Sequence, residues 1–161
     1  MHPDHSPPLG VLISEVGPRD GLQSVAATMA TAHKLRWLSA LHASGIREVE
    51  VGSFVPPKLL PQMADVAEVV RHALALPGWT VMALVPNLRG AEAALAAGVH
   101  KLTIPVSASA AHSLANVRKT REEMVAEVER IVALRNATAP GVPIEVGMST
   151  AFGCTLQGAV A

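Results

Sequence analysis

Signals for β-strands and α-helices alternate along this chain, and the alternation limits the folds that it can adopt. Each short apolar run is followed, after a brief polar connection, by a stretch with apolar residues at helical spacing. Strictly alternating strand–helix units indicate a parallel sheet with right-handed crossovers. The predicted strands cover residues 11–13, 48–54, 80–85, 101–106 and 144–150. Predicted helices begin near residues 31, 63, 87 and 120.

Residues that start and stop helices support this alternation. Thr31 and Asn87 are predicted N-caps, and Thr120 opens a capping box with the glutamate three positions later. Two glycines are expected to end helices directly before strands, Gly45 and Gly98. Pro105 removes a backbone donor from the fourth strand, so we expect a bulge or a strand end there.

The composition excludes several classes of partner. Half of the 161 residues are hydrophobic, with two Trp, two Phe and no Tyr, which is typical of a parallel sheet covered by helices. The 13 basic and 13 acidic residues balance, so no nucleic-acid interface is predicted. No apolar run approaches the roughly 18 residues that span a bilayer. The single Cys154 suits a reducing cytosol, which predicts a cytoplasmic protein, and residues 1–10 are predicted to form a disordered tail.

Two architectures fit the alternation: an open, doubly wound five-stranded sheet and a TIM (β/α)₈ barrel. A barrel needs about 250 residues, so residues 11–161 would be the N-terminal part of one domain, truncated after about the fifth strand. Polar residues follow every predicted strand, and this distribution favours the barrel. A barrel gathers all carboxyl ends of its strands around one active site, whereas an open sheet leaves the distant strand ends outside its site. These polar clusters are Arg19-Asp20-Gln23, Glu50-Ser53, Asn87, Ser107-Ser109 and Ser149-Thr150.

The turn after the first predicted strand carries the most distinctive chemistry. An apolar run leads into Gly17-Pro18-Arg19-Asp20-Gly21-Leu22-Gln23, where glycine and proline break regular structure. A guanidinium and a carboxylate side by side at a strand's carboxyl end suit a site that polarises a carbonyl and holds a metal ion.

This heptapeptide resembles the opening motif of the hydroxymethylglutaryl-CoA lyases, barrel metalloenzymes related to the isopropylmalate and homocitrate synthases. Further segments agree in order and without large gaps, from about Val11 onward. They are Glu50-Val51-Gly52-Ser53-Phe54-Val55-Pro56-Pro57-Lys58, Pro61-Gln62-Met63-Ala64-Asp65, Pro86-Asn87-Leu88-Arg89-Gly90 and Gly153-Cys154. The segments around Ser53 and Asn87 favour the lyase branch over the synthases.

The resemblance implies a retro-Claisen cleavage of 3-hydroxy-3-methylglutaryl-CoA to acetyl-CoA and acetoacetate. It implies a divalent cation, Mg²⁺ or Mn²⁺, with no organic cofactor, an acyl-CoA substrate and a homo-oligomer when intact. Asp20 matches the metal ligand. Arg19 matches the cation that stabilises the thioester enolate, and Glu50 is expected to orient it through a bidentate contact. The other predicted substrate contacts are Gln23, Ser53, Asn87, Ser107, Ser109 and Thr150.

Several residues that the family needs are not found in these 161 residues. There is no His-x-His pair and no second cysteine that could act as the catalytic one, so we predict that this chain alone is inactive. Cys154 is interpreted as an ordinary thiol. Ala110 replaces an acidic residue that the family often has, and Thr155-Leu156-Gln157 departs from its usual Pro and Tyr, which puts the acyl group in doubt. Two alternatives remain: a related acyl-CoA lyase or Claisen-type synthase, and a non-catalytic open-sheet module that binds a ligand.

Overall fold

The computed structural model describes residues 10–160, so nearly all of the tail predicted for residues 1–10 lies outside the described residues. Five parallel strands form one sheet in the order β1-β2-β3-β4-β5. The strands are β1 Ser14–Glu15, β2 Glu48–Ser53, β3 Thr80–Leu84, β4 Lys101–Ser107 and β5 Ile144–Ser149. An antiparallel hairpin follows, with strands β6 Gly153–Cys154 and β7 Gly158–Ala159. The helices are α1 Thr31–Ala43, α2 Val66–Leu74, α3 Leu88–Ala96, α4 Ala110–Val117 and α5 Arg121–Thr138.

The sheet is curled, as side-chain contacts across its inner face show. Strands β2 and β4 are separated by β3, which in a flat sheet would hold their backbones about 9–10 Å apart. Lys101 Nζ on β4 nevertheless lies 3.2 Å from Glu48 Oε2 on β2, and the Thr103 hydroxyl donates to Glu50. The prediction of a barrel is therefore confirmed, and the described residues form a five-stranded half-barrel.

The helices cover only the outer face of this half-barrel. Alternate strand residues, such as Val49, Val81 and Leu102, point away from the inside of the half-barrel and toward the helices, which bury them fully. They join one apolar core with Leu38, Val70, Ala94, Met124 and Ile131 from the helices. An open doubly wound sheet would carry helices on both faces. The inner face is lined by polar and apolar side chains and stays open to solvent. Among residues 10–160, no helix combines the length and apolar character needed to cross a bilayer.

The first predicted strand is misplaced by a few residues. The apolar run 11–13 is not a strand, and its side chains are 62–71% exposed. Ser14 pairs with Glu48, the first residue of β2. Residues before Ser14 therefore extend past the end of the neighbouring strand and have no ladder to join.

Two of the three predicted helix caps are confirmed. Asn87 accepts a hydrogen bond from the Gly90 N–H at 2.9 Å, and Thr120 forms the predicted capping box. The prediction for Thr31 is wrong: the cap residue is Ala30, and the Thr31 hydroxyl donates to the Asp65 side chain at 2.7 Å. The Thr31 hydroxyl thus binds the Asp65 carboxylate on the next helical segment instead of a backbone N–H at the start of α1.

Pro105 lies inside β4 without the predicted bulge or strand end, opposite Gly147 of β5. The Leu102 N–H donates to the backbone on the β5 side, whereas the Thr103 carbonyl accepts from the Val85 N–H on the β3 side. The backbone N–H and C=O groups of odd-numbered residues in β4 therefore point toward β3. The ladder between β3 and β4 ends at Thr103. At Pro105 no β3 residue remains to accept a hydrogen bond on that side. The lack of an N–H in proline therefore costs no hydrogen bond of the sheet here.

Glu127 on α5 joins two helices through a buried carboxylate. It accepts the Leu88 N–H at the start of α3 at 2.6 Å and Lys119 Nζ at 2.5 Å, with Arg130 alongside. Burial alone would raise the pKa of Glu127, but the Lys119 and Leu88 hydrogen bonds outweigh it and hold the pKa below its ordinary value of 4.5.

Glu127→Gln is expected to lower the free energy of unfolding by about 1–3 kcal/mol at pH 7, because charged hydrogen bonds are lost from a buried site. A depressed carboxylate pKa stabilises the fold above pH 4.5, and this contribution disappears as the pH falls below that value. The difference between wild type and variant should therefore shrink in acid. Urea denaturation from pH 7 to pH 3 measures it, with exposed Glu129→Gln on the same helix as the control.

Candidate active site

The turn after β1 presents the predicted guanidinium and carboxylate. Residues Gly17–Gly21 form a single π-helical turn, a form common at functional sites. The Gly17 N–H donates to Glu15 Oε1 at 2.6 Å. A Cβ on Gly17 would lie 2.7 Å from that oxygen and 3.2 Å from the Trp37 ring. A larger residue here would have to displace the Glu15 carboxylate and press on the Trp37 ring, so glycine suits the first position of this turn.

Arg19 lies between two carboxylates. Its Nε donates to Glu50 Oε2, and its Nη1 donates to Asp20 Oδ1 at 2.7 Å. Glu50 is only 2% exposed, and its other oxygen accepts from the Thr103 hydroxyl. The contact between Arg19 and Glu50 thus uses one carboxylate oxygen. The expected bidentate contact is wrong: the second oxygen of Glu50 is directed at Thr103 instead of the guanidinium.

An irregularity in β2 places Ser53 beside the turn. Glu50 pairs with Met82 and Ser53 pairs with Leu84, so β2 carries one extra residue over this interval. Such a bulge re-aims the side chains that follow it. Ser53 Oγ donates to Gln23 Oε1 at 3.1 Å. Two predicted substrate contacts are thereby fixed to each other, next to Glu50.

A cavity of about 500 Å³ opens on the inner face of the half-barrel. Its walls combine apolar side chains of β3 with polar groups from the turn and the strands. The polar side chains include Arg19, Asp20, Gln23, Glu50, Thr103, Asn116, Glu145 and Ser149. A concave site with a few converging polar groups is the usual form of a small-molecule site. The structure therefore brings Arg19, Asp20, Gln23 and Glu50 together around one space.

Ser109, Ser107 and Thr150 belong to a second cluster, around the start of α4. Ser109 is fully buried, and its Oγ lies 2.8 Å from Gln157 Oε1 and 3.1 Å from Cys154 Sγ. Its backbone N–H donates to Thr150 Oγ1 at 3.1 Å. The Ser109 hydrogen bond, opposed by burial, lowers the pKa of the Cys154 thiol. These polar atoms, like the capping oxygen of Asn87, already bind partners within the chain, and their contact with substrate stays a prediction.

His112 was missed as a partner of Ser107. The strand–helix pattern predicted no helix between residues 106 and 120, and thus a loop at His112, but the structure puts His112 in the first turn of α4. His112 Nδ1 lies 2.7 Å from Ser107 Oγ. Ser109 caps α4 by accepting the His112 N–H. The serine as N-cap was the available signal for this helix.

A charged network on the inner face was also missed. Lys101 Nζ lies 3.2 Å from Glu48 and 2.6 Å from Glu145. Burial would lower the pKa of Lys101, but the hydrogen bonds that its ammonium donates to Glu145 and Glu48 outweigh burial and raise the pKa above its ordinary value. Strand alternation places Lys101 and Thr103 on one face, and this period-two pattern could have identified them.

The fold and this geometry agree with comparison to known proteins. A family model described as HMGL-like matches residues 10–160. The chain belongs to the HMGL-like family. The resemblance inferred from the Arg19 turn is therefore confirmed.

Relatives of this HMGL-like chain include lyases. It is 41% identical over 154 residues to a 3-hydroxy-3-isohexenylglutaryl-CoA/hydroxy-methylglutaryl-CoA lyase of Pseudomonas aeruginosa, covering 95% of this chain and 50% of that protein. A hydroxymethylglutaryl-CoA lyase structure from the same organism superposes with a TM-score of 0.86 at 38% identity, covering 94% and 50%. An HMG-CoA lyase of Acinetobacter baumannii, solved with coenzyme A and 3-methylmalate, gives 0.83 at 32% identity, covering 93% and 48%. The chain spans about half the length of these relatives.

The carboxylates of this HMGL-like half-barrel fit only part of a divalent-metal site. Asp20 is 61% exposed and has one oxygen bound to Arg19, so its other oxygen can face a ligand in the cavity. Hard divalent ions need several oxygen ligands. Across residues 10–160, no three His, Cys, Asp or Glu side chains converge closely enough to hold an ion. The described residues therefore do not form a metal site by themselves.

Proposed function

We propose that this chain forms part of a hydroxymethylglutaryl-CoA lyase, which cleaves 3-hydroxy-3-methylglutaryl-CoA to acetyl-CoA and acetoacetate. The observation that supports it best is the Arg19–Glu50 pair, placed with Asp20 around the inner cavity. The active sites of (β/α)₈ barrels lie at the carboxyl ends of the strands. The turn that carries Arg19 follows β1 at that end.

Arg19 has the position and charge to stabilise a developing enolate. Cleavage of the carbon–carbon bond leaves negative charge on the thioester oxygen, and a preorganised cation stabilises that charge. Nε and Nη1 of Arg19 are bound by Glu50 and Asp20, so the guanidinium is held before substrate arrives. Fixed donors of this kind need no reorganisation during the reaction.

Asp20 is proposed to supply one ligand of a divalent metal ion, Mg²⁺ or Mn²⁺. One guanidinium faces two carboxylates in the Arg19–Glu50–Asp20 group, which leaves a net negative charge that a nearby cation would neutralise. When bound, such an ion would gather the hydroxyl and carboxylate oxygens of the substrate. Its other ligands would come from residues outside this chain, and no catalytic step here is derived from the ion.

The proposed substrate is an acyl-CoA thioester. Crystallisation of the Acinetobacter baumannii relative with coenzyme A supports this class of ligand. Gln23 and Ser53 are proposed contacts beside Glu50, whereas Asn87, Ser107, Ser109 and Thr150 are proposed for the rim of the site. We also propose a cytosolic location, which a single free cysteine favours, and a homo-oligomer for the intact enzyme.

A chimaera tests this function directly. The chain is joined to the second half of the Pseudomonas aeruginosa relative, of which it covers the other 50%. We expect the chimaera, but not the 161-residue chain alone, to release acetoacetate and free thiol from hydroxymethylglutaryl-CoA in the presence of Mg²⁺. A folded chimaera that cleaves no acyl-CoA would refute the lyase function. Condensation of acetyl-CoA with a 2-oxo acid instead would identify a synthase.

A further inference from the structure

Thr103 is a buried hydroxyl residue on the inner face of the half-barrel, where barrels mostly carry Val, Ile or Leu. It is 9% exposed and lies between Leu84 of β3 and Glu145 of β5 in the sheet register. Its branched Cβ restricts χ1 to few rotamers. The hydroxyl therefore has a defined direction, toward Glu50 across the intervening strand.

The Thr103 hydroxyl determines how Glu50 can bind Arg19. Each oxygen of the buried Glu50 carboxylate has one partner: Oε1 accepts from Thr103 and Oε2 accepts from Arg19 Nε. Because Oε1 is directed at Thr103, the carboxylate meets the guanidinium at one point instead of through the two parallel bonds that guanidinium groups favour. The second bond of such a pair would come from Nη2, which lies on the same side of the guanidinium as Nε–H, whereas Nη1 is bound to Asp20 at 2.7 Å.

Four side chains thereby form one continuous hydrogen-bonded relay, from β4 through β2 to the turn after β1. Its members, in order, are Thr103, Glu50, Arg19 and Asp20. Within residues 10–160, Nη2 of Arg19 forms no hydrogen bond, and Arg19 lines the cavity. The relay thus leaves one donor group of the guanidinium available to a ligand in that space.

We propose that Thr103 is a positioning residue, whose hydroxyl holds the Glu50 carboxylate in a one-point contact with Arg19 Nε, so that Nη2 of Arg19 stays available to substrate. Its importance for catalysis rests on the proposed function, whereas the relay itself does not. Without the hydroxyl, Glu50 turns both oxygens to Arg19 and binds Nη2 as well as Nε. The signature is a change at the Arg19 guanidinium, which Thr103 does not touch.

Two substitutions separate the hydroxyl from the shape of this side chain. Thr103→Val keeps the branched Cβ and removes the hydroxyl, whereas Thr103→Ser keeps the hydroxyl. NMR spectra of the labelled 161-residue chain should show the Arg19 Nε–Hε and Nη2 resonances displaced in Thr103→Val and restored in Thr103→Ser. Thr138→Val, on the exposed surface of α5, is the control that should leave both resonances in place. Unchanged resonances in Thr103→Val, or equal displacement in Thr103→Ser, would overturn the proposal.

A measurement on the wild-type chain keeps the test decisive if the valine variant does not fold. The Thr103 hydroxyl proton should exchange with water at least about tenfold more slowly than that of exposed Thr138, because it donates to a buried carboxylate. Equal exchange would contradict the relay. These readouts do not depend on catalysis. An intact relay in an inactive chimaera would reject only the proposed function. An active chimaera without the relay would reject only the positioning role of Thr103.

Discussion

Arg19→Gln in the chimaera is expected to reduce kcat for hydroxymethylglutaryl-CoA cleavage by about 10²–10³-fold, the usual effect of removing one group that stabilises an oxyanion. Glutamine keeps a polar side chain but loses the positive charge opposite Glu50 and the developing enolate. Steady-state rates of thiol release measure this effect. Because the loss concerns the transition state, KM should change much less than kcat.

Two controls make the Arg19 result specific. Arg36→Gln, an exposed arginine on α1, should retain the wild-type rate. Arg19→Lys keeps the charge but loses the planar set of donors, so its rate should fall between those of wild type and Arg19→Gln. Circular dichroism checks the fold, because Glu50 loses its ion-pair partner in Arg19→Gln. A folded Arg19→Gln chimaera with the wild-type rate would show that this guanidinium takes no part in catalysis.

Gly90→Ala is expected to have the largest effect on stability, lowering the free energy of unfolding by about 2–3 kcal/mol. A Cβ at this buried position in α3 would lie 2.6 Å from the backbone oxygen of Phe54 and 3.3 Å from the Pro86 ring. Backbone cannot rotate away as a side chain can. The clash should exceed the gain of about 1 kcal/mol that alanine brings to a helix.

Gly21→Ala provides the matched control for Gly90→Ala. An added Cβ at Gly21 meets no atom within 4 Å, so its free energy of unfolding should stay within about 0.5 kcal/mol of wild type. Urea denaturation followed by circular dichroism compares both variants. Equal stability of Gly90→Ala and wild type would contradict the close packing of α3 against the loop after β2. That packing accounts for the glycine in the Pro-Asn-Leu-Arg-Gly segment.

Local signals in the sequence predicted the elements of this fold well. The alternating apolar pattern located β2 to β5 and most helices, because burial of one face imposes that pattern. Capping chemistry set the starts of α3 and α5 at Asn87 and Thr120. The prediction that Thr31 caps α1 failed because its hydroxyl binds Asp65, a distant residue that local sequence does not indicate. Residues 11–13 failed as a strand because the length of β2 limits the pairing of β1.

The candidate site was predicted less completely, because its geometry depends on contacts between distant residues. The pairing of Arg19 with Glu50 was anticipated from chemistry, but the single-oxygen contact depends on Thr103, 53 positions from Glu50. The bulge before Ser53 shows only in the register with β3. The helix that carries His112 was short enough to be taken for a loop. Each omission concerns a partner that local sequence does not specify.

We propose that Arg19, Glu50 and Asp20 face one acyl-CoA site on the inner face of the half-barrel. A crystal structure of the chimaera with coenzyme A and a substrate analogue tests this proposal. We expect the acyl end of the ligand within hydrogen-bonding distance of the Arg19 guanidinium, inside the cavity that Glu50 and Asp20 line. A ligand bound elsewhere, with Arg19 turned toward bulk water, would contradict it.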